Sequence, residues 1–185
     1  MKTNRLIRKS TALFMALAVF AMIFTGCKKD DSSSNSGGNG GGGGGGGTGN
    51  YGTIVVGDQT YVVHSGLYEI IYDEDLQAYE VGIALLDSTS DDDANAYVLV
   101  IPFYEAIPTG TFTYYLEDDP QQGQCAGMFE RNGSANTLYC TQGSVTISKV
   151  GANYKIVSQG TVMAMDASTM SLSVNFQGPL TEYSE

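Results

Sequence analysis

The clearest signal along the chain is alternation of apolar and polar residues. Met170, Leu172, Val174 and Phe176 alternate with Ser171, Ser173, Asn175 and Gln177, and Tyr79, Val81, Ile83 and Leu85 alternate with Glu80, Gly82 and Ala84. A period of two predicts strands with one buried face. The run from Tyr97 to Tyr104 is apolar on both faces, which predicts a strand covered on each side or one whose outer face meets a partner, with Pro102 placing it at an edge or a bulge. Turn signals fall at short intervals: Gly57-Asp58, Asp73 to Asp75, Asp87 to Asn95, Pro108 to Gly110, Gly151 to Asn153, Gln159-Gly160 and Asp166 to Ser168. Such gaps suit hairpins and are too short for parallel crossovers. The expected fold is all-β, an antiparallel meander of about ten strands. It must hide its edges, so the meander is expected to close as a barrel of the lipocalin or calycin kind or, alternatively, to pack as a β-sandwich.

The first 50 residues follow different rules. Lys2, Arg5, Arg8 and Lys9 precede a charge-free apolar run from Ala12 to Phe24, the layout of an export signal. The run is shorter than the roughly 20 residues of a membrane-spanning helix. Phe24-Thr25-Gly26-Cys27 resembles a lipobox, with Phe24 where Leu is usual. That resemblance implies cleavage after residue 26 and acylation of Cys27. Residues 27–50 then hold the lipidated Cys27 and a disordered tether rich in Gly and Ser, with unbroken glycine from Gly40 to Gly47, which cannot pack and spans roughly 25–30 Å as a random coil. It lacks the strand, helix and Lys-Ser or Lys-Thr pair of a phosphate-binding loop. Residues 51–185 remain for a single all-β domain, enough to bury about two thirds of its unfolded surface.

Charge narrows the partners. The whole chain is at −11, but residues 1–26 hold four of nine basic residues and none of the twenty acids, so the chain from Cys27 carries −15. A field of that sign disfavours nucleic acid and anionic headgroups. Membrane attachment is therefore expected through acyl chains on Cys27, each buried CH₂ contributing roughly 0.8 kcal/mol. Beside Cys27, Lys29-Asp30-Asp31 resembles the surface-export signal of Bacteroidota lipoproteins, a Lys followed by two acids. Gly143 to Lys149, Tyr154-Lys155-Ile156 and Phe176 to Leu180 are similar to the closing hairpins of small uncharacterised lipoproteins of that group, and Pro108 to Tyr114 to their middle strand. The resemblance implies an outer-membrane, surface-facing lipoprotein, the periplasmic face being the alternative, and it carries no activity.

Reacting constellations are sparse. His64 is the single histidine, in strand-like sequence, and Ser65 beside it points to the opposite face. Zinc sites and Cys-His dyads lack parts. Asp73-Glu74-Asp75, Asp91-Asp92-Asp93 and Glu117-Asp118-Asp119 read as solvated turns, none having the calcium-loop pattern. No catalytic residue, metal or cofactor is assigned, and the chain is expected not to be an enzyme. All twelve tyrosines lie beyond residue 50 and tryptophan is absent, a composition that suits strands and also recognition of protein or glycan. Two functions follow as expectations: a non-catalytic interaction module for a protein or glycan, or a lipocalin-like carrier of a small apolar ligand. Bulky inward residues favour the first, and Tyr68, Ile70, Tyr79, Ile83, Leu85, Leu99, Ile101, Phe112, Leu172 and Phe176 are expected to fill the interior. Cys125 and Cys140 are expected to form a disulfide across a hairpin turning at Asn132-Gly133. That hairpin and the Glu117 to Gln124 loop are the expected recognition surface.

Intact-mass measurement of the membrane fraction should find a chain that starts at Cys27 and carries added acyl mass. Cys27→Ser should release or stall it, and an unmodified mature mass would refute lipidation.

Overall fold

The computed structural model describes residues 49–88, 94–116, 120–131 and 136–183. The signal segment, Cys27, Lys29, Asp30, Asp31 and the glycine tether lie outside these residues, as do Asp91 to Asp93, Glu117 to Asp119 and the Asn132-Gly133 step.

The described residues contain eleven strands and no α-helix. These are β1 Gly52–Val56, β2 Gln59–Val63, β3 Ser65–Asp73, β4 Ala78–Leu86, β5 Ala96–Pro102, β6 Gly110–Tyr114, β7 Gln124–Glu130, β8 Leu138–Val150, β9 Asn153–Met163, β10 Thr169–Gly178 and β11 Thr181–Glu182. They form one sheet in the order β11-β3-β4-β5-β7-β6-β8-β9-β10-β1-β2, curled as a half-barrel. The all-β, barrel-like expectation holds, and the two-sheet alternative gives way to a single sheet.

Curling brings the two ends of the sheet onto one stretch of chain. β2 pairs with β1, while β3, which follows after His64 alone, pairs with β4. The His64 N–H donates to Leu86 O at 2.8 Å, so the β4 ladder runs on to the corner. β11 adds in parallel to β3 through Thr181↔Leu67 and Glu182↔Tyr68. Gly66 permits this seam: a Cβ there would lie 2.7 Å from Leu180 Cδ2 and 2.9 Å from Phe176 Cζ.

Three sequence expectations need correction. Consecutive strands do not pair throughout, because β7 and β8 share only Met128↔Tyr139 and Phe129↔Leu138 before β6 enters between them. β6 runs parallel to β7 at Thr113↔Gln124 and Tyr114↔Cys125; two paired residues need no crossover helix, so a short connection suffices. Gln159-Gly160 is not a turn but the middle of β9, where Gly160 faces Gly143 of β8. A Cβ on Gly160 would sit 2.2 Å from Gln142 O, so the close approach next to the β8 bulge selects glycine there. Finally, Pro102 does not mark an edge: it ends β5, a central strand between β4 and β7, and of the two alternatives only a local irregularity remains, with Phe103 at φ 71° before the Tyr104 N–H returns to Tyr79 O of β4.

Inside the curl the side chains are large. Tyr97, Phe129, Phe176, Ile54, Ile83, Leu85, Leu99, Ile101, Ile147 and Ile156 are fully buried, each contributing about 1.5–3 kcal/mol of transfer free energy. Apolar residues on the other face of β4, β5 and β7, namely Ala84, Leu86, Ala96, Val98 and Met128, form a second buried cluster. The two-faced apolar character of β5 therefore corresponds to burial on both sides.

One polar chain crosses the core. The Tyr114 hydroxyl hydrogen-bonds both the Tyr97 hydroxyl and Ser158 Oγ. Burial pushes the pKa of both phenols upward, so they stay neutral and can donate. Glycines make room for the Tyr114 ring: a Cβ on Gly127 would lie 2.6 Å from its Cε1, and one on Gly160 3.3 Å from its Cε2. Gly127→Ala should therefore destabilise the fold by about 1–3 kcal/mol through overpacking, read as a lower urea midpoint at unchanged slope. A neutral effect would show that Tyr114 is not confined as described.

Candidate functional site

Alternation on β3 and β4 carries one row of side chains along the inner face and out of the barrel. Gly66, Tyr68, Ile70 and Tyr72 stand opposite Leu85, Ile83, Val81 and Tyr79 in register. Ile83, Leu85 and Val81 are sealed in the core and Tyr68 packs against it. Beyond that level the packing stops: Ile70 is 37%, Tyr79 41% and Tyr72 51% exposed. Ile70 and Tyr79, expected to fill the interior, instead stand at its mouth, toward the turn end of the β3–β4 hairpin. The other predicted fillers, Leu99, Ile101, Phe112, Leu172 and Phe176, are buried as expected.

Neighbouring segments enlarge the aromatic rim. Tyr72 and Tyr79 meet edge to face, with ring centres 5.1 Å apart and planes at 70°. Their turn is fixed by Asp73 Oδ1, which accepts from the Asp75 N–H at 2.7 Å and the Leu76 N–H at 3.0 Å, with Gln77 at φ 51°. The first acidic cluster thus uses one carboxylate as a turn cap. The Tyr104 N–H donates to Tyr79 O at 3.1 Å, which holds the segment after β5 against this end of β4, and Phe103, its neighbour in the chain, is also exposed. Tyr104 in turn rests edge-on against Phe112 at 5.7 Å. Across the opening, Tyr154 of β9 lies under Lys149 of β8, whose Nζ is 5.5 Å from the ring centre. Tyr68 donates to Glu182 Oε2 at 3.5 Å, and burial, then the Glu182 carboxylate and Tyr154, raise its pKa.

The opposite face of β4 holds a buried acid. Glu80 is 5% exposed, and its pKa rises from the ordinary 4.5 to about 7, first by desolvation and then by Asp73. Tyr115 is raised by the same two kinds of cause, burial first and then Glu80, and its hydroxyl has no hydrogen-bond partner among the described residues.

The predicted disulfide is corrected. Cys125 and Cys140 are free, buried thiols. Continuing the β7–β8 register from Met128↔Tyr139 sets Cys140 opposite Gly127, two residues beyond Cys125. Consistent with this, a Cβ on Gly127 would fall 2.9 Å from Cys140 Sγ. The observed register is offset by two residues from the one that opposes the two sulfurs, and the cysteines are diagonal neighbours instead of an opposed pair. Burial raises both thiols, Cys125 strongly and Cys140 to about 12, so neither has thiolate character. The pinned hairpin expected as a recognition surface loses its pin.

His64 stands at the β2–β3 corner, half-buried, with Nδ1 3.3 Å from Gly49 O. Among the described residues no group of three or more His, Cys, Asp or Glu could hold a metal ion. The rim itself was not read from the sequence, although one signal was there: Tyr72 and Tyr79 flank a turn symmetrically, which puts both on one face of a hairpin.

Comparison with family models, with curated proteins and with solved structures returns no match to this chain.

Glu80 gives the fold a pH dependence of defined sign. A carboxyl whose folded-state pKa is raised stabilises fully below 4.5, and that contribution is lost as pH climbs through about 7. Glu80→Gln should accordingly be more stable than the parent at pH 8, by on the order of 2–3 kcal/mol, and indistinguishable from it at pH 4. Equal urea midpoints at both pH values would refute the burial of an ionisable Glu80.

Proposed function

We propose that this protein is a lipid-anchored outer-membrane lipoprotein, displayed at the cell surface, whose β domain is a non-catalytic binding module for a protein or glycan. The observation that carries the reading is the mouth of the half-barrel, where Tyr72, Tyr79, Ile70 and Phe103 remain exposed above a filled core. Aromatic side chains left in solvent by an otherwise well-packed domain are suited to contact another molecule. The bulky interior supports this reading over a carrier of small apolar ligands, which needs a cavity where Tyr97, Phe129 and Phe176 stand. Anchoring and outward display rest on Gly26-Cys27 and Lys29-Asp30-Asp31, with the Bacteroidota resemblance those residues carry. The tether would reach the domain at β1, beside the point where Tyr51 packs on Phe176 with ring centres 6.2 Å apart.

Protease added to intact cells should cut between Ser32 and Asn50 and release the domain. Released domain should bind a glycan or protein array, and Tyr72→Ser together with Tyr79→Ser should abolish that binding without unfolding it. Cleavage only after disruption of the outer membrane would refute display. Saturable uptake of a fluorescent fatty acid, indifferent to the tyrosine pair, would favour the carrier.

A further inference from the structure

The mouth combines two properties that select one class of partner. Its exposed surface is aromatic, and the segments that bear those rings are acidic. Asp73, Glu74 and Asp75 form the turn between Tyr72 and Tyr79, Glu105 follows Phe103 and Tyr104, and Glu182 meets Tyr68. Glu74, Asp75, Glu105 and Glu182 are exposed. Residues 51–185 hold only three basic side chains, Arg131, Lys149 and Lys155, against eighteen carboxylates. One of the three already occupies a ring of this rim, Lys149 over Tyr154. The chain thus displays on itself the contact that the free rings can make with a second molecule.

Charge separates the alternatives. An anionic partner would have to approach through the carboxylates, at a cost that grows as water is displaced. A neutral sugar could stack on a ring but would leave the carboxylate field uncompensated. A cationic side chain satisfies both terms, because the ring quadrupole attracts its charge and the adjacent carboxylates neutralise it. We infer that the mouth docks a lysine- or arginine-bearing peptide segment of a partner protein, which sets a cationic side chain on the Tyr72–Tyr79 pair within reach of Glu74 and Asp75. The inference rests on the mouth being the binding face proposed above. The net charge of the domain steers such a partner from a distance, in a salt-dependent way.

The test uses the mature chain with Cys27→Ser, ¹⁵N-labelled, titrated at low salt with three probes: an Arg-Gly repeat peptide, a Ser-Gly peptide of equal length, and a neutral glucan oligosaccharide. The basic peptide should shift amides at residues 72–79 and 103–104 in a saturable way, and the Ser-Gly peptide should not. Tyr72→Ser and Tyr79→Ser should each weaken binding about two- to fivefold. Glu74→Gln with Asp75→Asn should weaken it further and flatten its salt dependence. Both tyrosines are exposed, so an unchanged spectrum elsewhere will certify the fold of each variant. Shifts spread over the whole acidic surface and indifferent to the tyrosine variants would overturn the inference, as binding by net charge alone. Shifts of the same residues by the glucan but not by the basic peptide would overturn it while leaving the binding-module reading intact. If no probe moves the mouth while the released domain still binds an array at another face, the inference and the role of the mouth both fall.

Discussion

The structure depends on how Tyr114 is held inside the curl. β6 is short, and it enters between β7 and β8 where their own pairing ends. Its last residue drives a phenol ring into the core between Gly127 and Gly160. A ring of that size needs two backbones without side chains beside it, and a buried hydroxyl needs partners, which Tyr97 and Ser158 supply. Satisfying one group therefore ties together β5, β6 and β9, with β7 and β8 fixed by the glycine gap and by Cys140. Leaving any member unpaired would cost more than the bond gains, so the network specifies a single arrangement of these strands.

Solid packing at the centre sets the character of the ends. The half-barrel is filled by Phe129, Phe176, Tyr97 and a layer of Ile and Leu, all buried, and the large side chains that water reaches stand outside that layer. β3 and β4 continue past the packed layer, and the inward row that is buried at Ile83 becomes a solvent-facing aromatic rim at Tyr72 and Tyr79. The same alternation thus builds core and mouth, and position along the β3–β4 hairpin separates them. On the reverse face, Glu80 meets desolvation instead of water, and its raised pKa follows from that position.

The cysteines show how a local inference fails. An Asn-Gly step between Cys125 and Cys140 suggests a tight hairpin, and a symmetric hairpin would oppose the two sulfurs. The observed ladder is offset by two residues. Side-chain period is preserved by such an offset, so both cysteines still face the core and the alternation pattern cannot reveal the difference.

The sequence by itself determined the strand-rich character of residues 51–185, most turns, the near-absence of cations and the inward set at Ile83, Leu85, Leu99, Ile101, Phe112, Leu172 and Phe176. Each of these follows from local chemistry: period-two alternation, Gly and Asp at turns, and charge count. Only the tertiary structure decided that β6 divides β7 from β8, that Gly160 belongs in a strand, and that Ile70 and Tyr79 are exposed. Those outcomes depend on strands distant in the chain and on how close their backbones come, and no local pattern encodes that distance.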